Sequence, residues 1–224
     1  NLEGTGISGL SRDAGDEQAY AGIFNGQNHT IILAIGETFG YKGETTAFSG
    51  TDGCGKVYGY QNCHDYQGLF SKTKNPSVIK NLTIAGSINI SNAASAITAG
   101  GVAAAVTGTT TIQWVTVEER ITADIPKNNV LSVGGFFGDG SGSADPLALD
   151  DNTKASAKIT IQNNTAETDD TKIYAGGVIG QISSGSFKLR ASGLTVSGII
   201  CTSVQNYAYI GGLAGVVKAC NVNN

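Results

Sequence analysis

The chain contains no methionine, so its first residue, Asn1, is not a translation start; a removed leader peptide or a partial chain is expected. It has three prolines, two histidines and one tryptophan. Two histidines leave little for acid–base chemistry near neutral pH. Only 14% of residues are charged, the net charge is −4, and there is no basic run. This excludes an electrostatic footprint for nucleic acid or anionic lipid. No stretch of about 18 apolar residues runs unbroken, which excludes a membrane-spanning helix. With a hydrophobic content of 40%, low charge does not mean disorder. The polar surface must instead be built from Ser, Thr, Asn and Gly.

Glycine is plentiful, with 32 residues and no Gly-X-Y triplet, so it marks turns and close backbone approaches. Five glycines recur in one context: Tyr66-Gln67-Gly68-Leu69-Phe70, Thr98-Ala99-Gly100-Gly101-Val102, Val133-Gly134-Gly135-Phe136-Phe137, Tyr174-Ala175-Gly176-Gly177-Val178 and Tyr209-Ile210-Gly211-Gly212-Leu213. The markers at 68, 101, 135, 177 and 212 lie 33, 34, 42 and 35 residues apart. A near-constant period of this size signals a repeat architecture in which each unit covers its neighbour's hydrophobic edge.

Between the markers the pattern alternates with period two. Leu82 and Ile84, Ile88 and Ile90, Ile159 and Ile161, and Leu194 and Val196 each alternate with Asn, Thr, Ser, Lys or Gln. This predicts half-buried strands. Thr111 to Ile125 is the nearest approach to a helical stripe, but its β-branched content argues for strands there too. Short strands at a period near 35 predict an all-β fold, a parallel β-helix or β-solenoid in which each strand pairs with its equivalent one coil further on. One domain over 1–224 is expected. It carries a Gly/Tyr/Cys-rich insertion at about 37–66 and a loop at about 138–154, where Gly138 to Pro146 reads as a surface turn region.

The four cysteines suit an oxidising compartment, and the local pairings Cys54–Cys63 and Cys201–Cys220 are the expected ones among the three possible. Buried free thiols are the plainer alternative.

Several segments resemble a known repeat. Phe24-Asn25-Gly26-Gln27-Asn28-His29-Thr30-Ile31 resembles the opening of surface proteins carrying GLUG-type repeats. Gly68-Leu69-Phe70 followed by Ile79-Lys80-Asn81-Leu82, and Ile210-Gly211-Gly212-Leu213-Ala214-Gly215 followed by Cys220, resemble their later units. The likeness runs over about residues 20–220. It implies a single-stranded, right-handed parallel β-helix and an exported scaffold role, and it transfers no catalytic residue.

Four Asn-X-Ser/Thr sequons, at Asn28, Asn81, Asn89 and Asn163, are candidate glycosylation sites. Asn28, Asn81 and Asn89 fall out of phase with their apolar neighbours and should face solvent. Tyr41, Tyr58, Tyr60 and Tyr66 are candidate contacts for a glycan or protein, the alternative being that they pack as core. His29 belongs to the repeat pattern and reads as a structural hydrogen-bonding residue. Cys54, Cys63, His64 and Asp65 do not match a zinc spacing, and a disulfide uses the same cysteines more simply.

Asp139, Asp145, Asp150 and Asp151 offer oxygen ligands for calcium, without the spacing of an EF-hand or RTX loop. Asp145, Asp150 and Asp151, with Glu118, Glu119, Asp169 and Asp170, read as solvated loop charge. None is set with a second carboxylate at i+2 and a basic partner, as paired-carboxyl hydrolysis would need. The sequence therefore points to a non-enzymatic extracellular protein, secreted or at the cell surface, without cofactor or metal. It reads as a structural or adhesive glycoprotein whose partners are its own copies, covalent glycans and a surface glycan or protein. Neither end shows a polar cap, which predicts head-to-tail assembly into a fibre. A glycan- or protein-binding adhesin module and a carbohydrate-active β-helix enzyme are the alternatives.

Overall fold

A computed structural model of the protein describes residues 19–35, 38–41, 44–47, 66–91, 96–124, 130–141, 146–150, 152–162, 171–183, 188–203 and 207–218. All regular structure among them is strand, as the two-residue alternation predicts. The strands fall into six successive rows. The first row is β1 (Tyr20–Ile35), followed by an antiparallel hairpin of β2 (Thr38–Tyr41) and β3 (Glu44–Ala47). The second holds β4 (Tyr66–Gln67) and the long β5 (Phe70–Ser91). The third holds β6 (Ile97–Gly100), β7 (Ala103–Thr107), β8 (Thr110–Val117) and β9 (Arg120–Asp124). The fourth holds β10 (Val130–Gly134), β11 (Phe137–Ser141), β12 (Pro146–Asp150), β13 (Lys154–Ala155) and β14 (Lys158–Gln162). The fifth holds β15 (Lys172–Gly176), β16 (Ile179–Ile182), β17 (Lys188–Ala191), β18 (Thr195–Val196) and β19 (Ile199–Ser203), and the sixth β20 (Tyr207–Gly211) and β21 (Ala214–Val217).

Every described pair except β2–β3 is parallel and joins one row to the next. Ile97, Leu131 and Ile173 stand opposite one another on β6, β10 and β15, and Ile121, Ile159 and Ile200 on β9, β14 and β19. In-register apolar residues stack into columns, so one continuous core runs from Ile31 to Ile182. Buried hydroxyls also pair along the stack: Thr110 Oγ1 lies 2.8 Å from Ser77 Oγ and 3.2 Å from Thr73 Oγ1.

The larger sheet is curled. Within row three the Glu119 side chain comes up against Gly101, and within row five a Cβ on Gly177 would lie 2.8 Å from Val196 Cγ1, so distant parts of one row approach each other across the core.

Two bends explain where the curl comes from. The five marker glycines sit at one of them, between β4 and β5, β6 and β7, β10 and β11, β15 and β16, and β20 and β21. There Phe70 N–H donates to the Val102 carbonyl (2.9 Å), Val102 N–H to Phe136 (3.0 Å), Phe136 N–H to Val178 (2.9 Å) and Val178 N–H to Leu213 (3.1 Å). A Cβ on Gly135 would strike the carbonyl oxygen of Gly177, so stacking demands glycine there.

The other bend uses the left-handed region: Gln27, Asn28, Asn81, Trp114, Asn152 and Gly193 have φ of 52°, 63°, 55°, 56°, 54° and 68°. Asn81 and Trp114 stand opposite each other, and the flanking register brings Asn152 and Gly193 to the same bend.

The loop expected over about 138–154 is largely strand. Phe137–Ser141, Pro146–Asp150 and Lys154–Ala155 pair with the rows before and after, and Gly138 is buried. The physical reason is close packing: a Cβ on Gly138 would lie 2.5 Å from Thr98 Cγ2 and 2.6 Å from the Ala99 nitrogen. Of the insertion at about 37–66, only the β2–β3 hairpin and Tyr66, which begins β4, fall among the described residues.

Candidate functional site

The last row is where the core comes to the surface. Ile210 continues the buried column of Ala99, Val133 and Ala175, yet it is 47% exposed. Leu213 continues Val102, Phe136 and Val178, which are fully buried, and is 41% exposed. Val196 and Val217 end their columns in the same way. A Cβ on Gly212 would meet nothing within 4 Å, although Gly68, Gly135 and Gly177 each have a carbonyl of the following row against them. Among the described residues β20 and β21 have no strand on their outer edges, and at the other end β1 pairs with β5 alone. Such edges carry unpaired N–H and C=O groups. Row six pairs with row five through β15–β20 and β16–β21, and beside that pairing the Tyr174 and Tyr209 rings lie 5.4 Å apart and Lys218 Nζ sits 5.0 Å above Tyr174.

The left-handed bend carries a second feature. Asparagine and glycine take this conformation at low cost. A bulky side chain held there costs on the order of 1–3 kcal/mol. Trp114, the single tryptophan of the chain, occupies it with 53% of its surface exposed. Its flanks are fixed, because Ile112 and Val115 are fully buried and β8 is paired on both sides, with β5 and with β12 and β13. The row below presents Asn81, whose Nδ2 donates to Asn25 Oδ1 (3.0 Å); that oxygen also accepts from Gln27 N–H (3.1 Å). The row above presents Asn152, which is exposed.

Among the described residues one carboxyl is buried and a second is partly so. Glu119, expected as solvated charge, is instead 1% exposed, with both carboxyl oxygens unpartnered, and desolvation pushes its pKa well above the usual carboxylate range. It follows the phase of Val115, Val117, Ile121 and Ala123, so the alternation turns it inward at the β8–β9 corner. A Cβ on Gly101 would land 2.7 Å from the Glu119 Cδ, so the side chain reaches across the interior to the glycine bend. One row on, Ala157 stands at this corner and Gly135 opposite it. Glu118 is exposed as expected.

Asp139 lies on β11, its Oδ2 accepting from Ser183 Oγ at 3.1 Å. Burial raises its pKa, offset in part by Ser183, Lys218, the Gly140 backbone and Lys72. Its Oδ1 and the Gln181 Oε1 one row on are buried without a partner.

Of the candidate sequons, Asn28 is exposed, Asn81 is half-buried with its amide engaged, and Asn89 is half-buried on β5. Asn163 lies outside the described residues, as do Cys54, Cys63, Cys220, Tyr58, Tyr60, His64, Asp65, Asp145, Asp151, Asp169 and Asp170. Cys201 lies on β19, Tyr41 on β2 and Tyr66 on β4 by their backbones. Among the described residues no group of three His, Cys, Asp or Glu could hold a metal ion, and no helix is long and apolar enough to cross a membrane. Trp114 belongs to no motif of the sequence, and Ile210 and Leu213 stand in the fifth marker like their buried counterparts, with nothing that sets them apart as exposed. A tryptophan in line with the asparagines at the bend was the available signal for the first. Comparison with models of protein families, with curated proteins and with solved structures finds no match.

Proposed function

We propose that the chain is a non-enzymatic, extracellular structural glycoprotein: a right-handed parallel β-helix of the GLUG-repeat kind, one domain over 1–224, that assembles head to tail into surface fibres. The observation that carries this reading is the exposure of core columns at row six. Ile210 and Leu213 end columns that are buried in every described row before them. A further row of strands laid on β20 and β21 would bury them and pair their open edges. In the fibre that row comes from the next copy; at the opposite end of the stack β1, too, has an open outer edge among the described residues. A head-to-tail contact that does not close into a ring extends into a filament. The reach of Glu119 towards Gly101, and the approach of Val196 to the Gly177 bend, support an interior wrapped on both sides, as a coil requires.

Glycans at the sequons and the two cysteine bridges complete the reading, with exposed Asn28 the most accessible of the described sites. Intact mass before and after deglycosylation and reduction checks both: the reading requires mass lost with glycans and gained on reduction of disulfides. For assembly, sedimentation and negative-stain electron microscopy of the concentrated protein should show unbranched filaments. Gly212→Ala should remain folded but stay short or monomeric, because a following row would press a carbonyl against its Cβ as Gly212 does at Gly177. Dispersed monomers of the unaltered protein at high concentration would remove the fibre from the account.

A further inference from the structure

We propose that the bend at Trp114 is a binding site for a neutral saccharide, independent of whether the chain forms fibres. The inference starts from a conformational outlier, an indole held in the left-handed region at a bend where the neighbouring rows carry asparagine or glycine. Stacking does not require the indole there, since Asn81, Asn152 and Gly193 make the same bend without it. Nor does the core, since the side chain is more than half exposed. A strained backbone under an exposed aromatic is the pattern of a contact residue on a rigid base.

The surroundings select the class of ligand. Rows one strand spacing away on either side place Asn81 and Asn152 beside Trp114, and Gln113 precedes it on β8. Thr111 and Thr116 are half-buried on the same strand. An indole offers a flat apolar face to the C–H face of a pyranose ring. The amides of Gln113 and Asn152 each offer a donor and an acceptor together, which suits neighbouring sugar hydroxyls, while the Asn81 amide is engaged with Asn25. A protein partner would want an apolar surround that keeps water from the central aromatic. The flanking positions here are amides and hydroxyls. Strongly anionic ligands fit poorly, because Lys80 and Asp150 flank Gln113 with opposite charge.

Because Trp114 is the only tryptophan, its emission reports on the site directly. Titration of the intact protein with glucose, N-acetylglucosamine, mannose and galactose oligosaccharides should give a saturable shift or quench with at least one of them. By calorimetry, Trp114→Asn should weaken that binding at least tenfold, with a melting temperature equal to or above that of the unaltered protein. Trp114→Phe should retain part of the affinity. The inference is overturned if no oligosaccharide perturbs the emission, if Trp114→Asn binds as well as the parent, or if a peptide array alone moves the signal. A substantially lower melting temperature for Trp114→Asn would also overturn it, since the indole would then be a packing residue.

Discussion

At Glu119 a carboxyl group sits inside an apolar interior with no hydrogen-bond partner on either oxygen. Desolvation raises its pKa, with no offsetting charge among the described residues. The folded state therefore holds the proton that the unfolded chain releases near pH ~4.3. Its contribution to stability is complete below that value and falls as pH rises towards the folded pKa, by about 1.4 kcal/mol per unit. Asp139 acts in the same direction, its pKa also being raised by burial. Melting curves should thus show a melting temperature that falls as pH rises above ~4.3, by a few degrees per pH unit until the folded pKa is reached. Glu119→Gln should flatten most of that slope. A parent protein more stable at pH 8 than at pH 4 would contradict the burial of this carboxyl. The position was legible, because Glu119 keeps step with Val117 and Ile121. The residue type was the misleading part, since an acidic side chain normally stays in water.

Among elements, the glycine bends decide how closely the strands can stack. Gly135→Ala would drive a Cβ into the Gly177 carbonyl and should cost about 1–3 kcal/mol or more. Gly212→Ala has open space around it and should stay within about 0.5 kcal/mol of the parent in the unassembled protein. Thermal melts of the two variants at low concentration test this, and equal losses would mean that the bend does not tighten where rows overlie it. Marker spacing and alternation made these bends and most strands readable. The strand at Phe137–Ser141 was hidden because Gly138-Asp139-Gly140-Ser141 has the composition of a turn. Its glycine serves close approach to Thr98 and Ala99. Gly180 and Gly215 recur in the same role, close against the backbone nitrogens of Val133 and Ala175, so each later unit has three structural glycines.

For the whole molecule, what matters is that rows repeat in register and that the sheet curls. The period of 33 to 42 residues made the repetition readable, because one row uses about that much chain. The uncovered apolar side chains of row six could not be read, since Ile210 and Leu213 have the same sequence context as buried residues of earlier rows. Exposure there depends on what lies beyond, which is a property of the stack.

Electron paramagnetic resonance on nitroxide pairs tests the stacking most directly. One ladder runs through Ser87, Arg120, Lys158 and Ile199, and a second through Val130, Lys172 and Tyr207. Coiled rows require backbone separations that grow by about 4.8 Å per row in both ladders. They also require the distance between ladders to be the same at positions 158 and 130 as at 199 and 172. A between-ladder distance that widens from one row to the next, or steps that do not grow evenly, would contradict a wound stack.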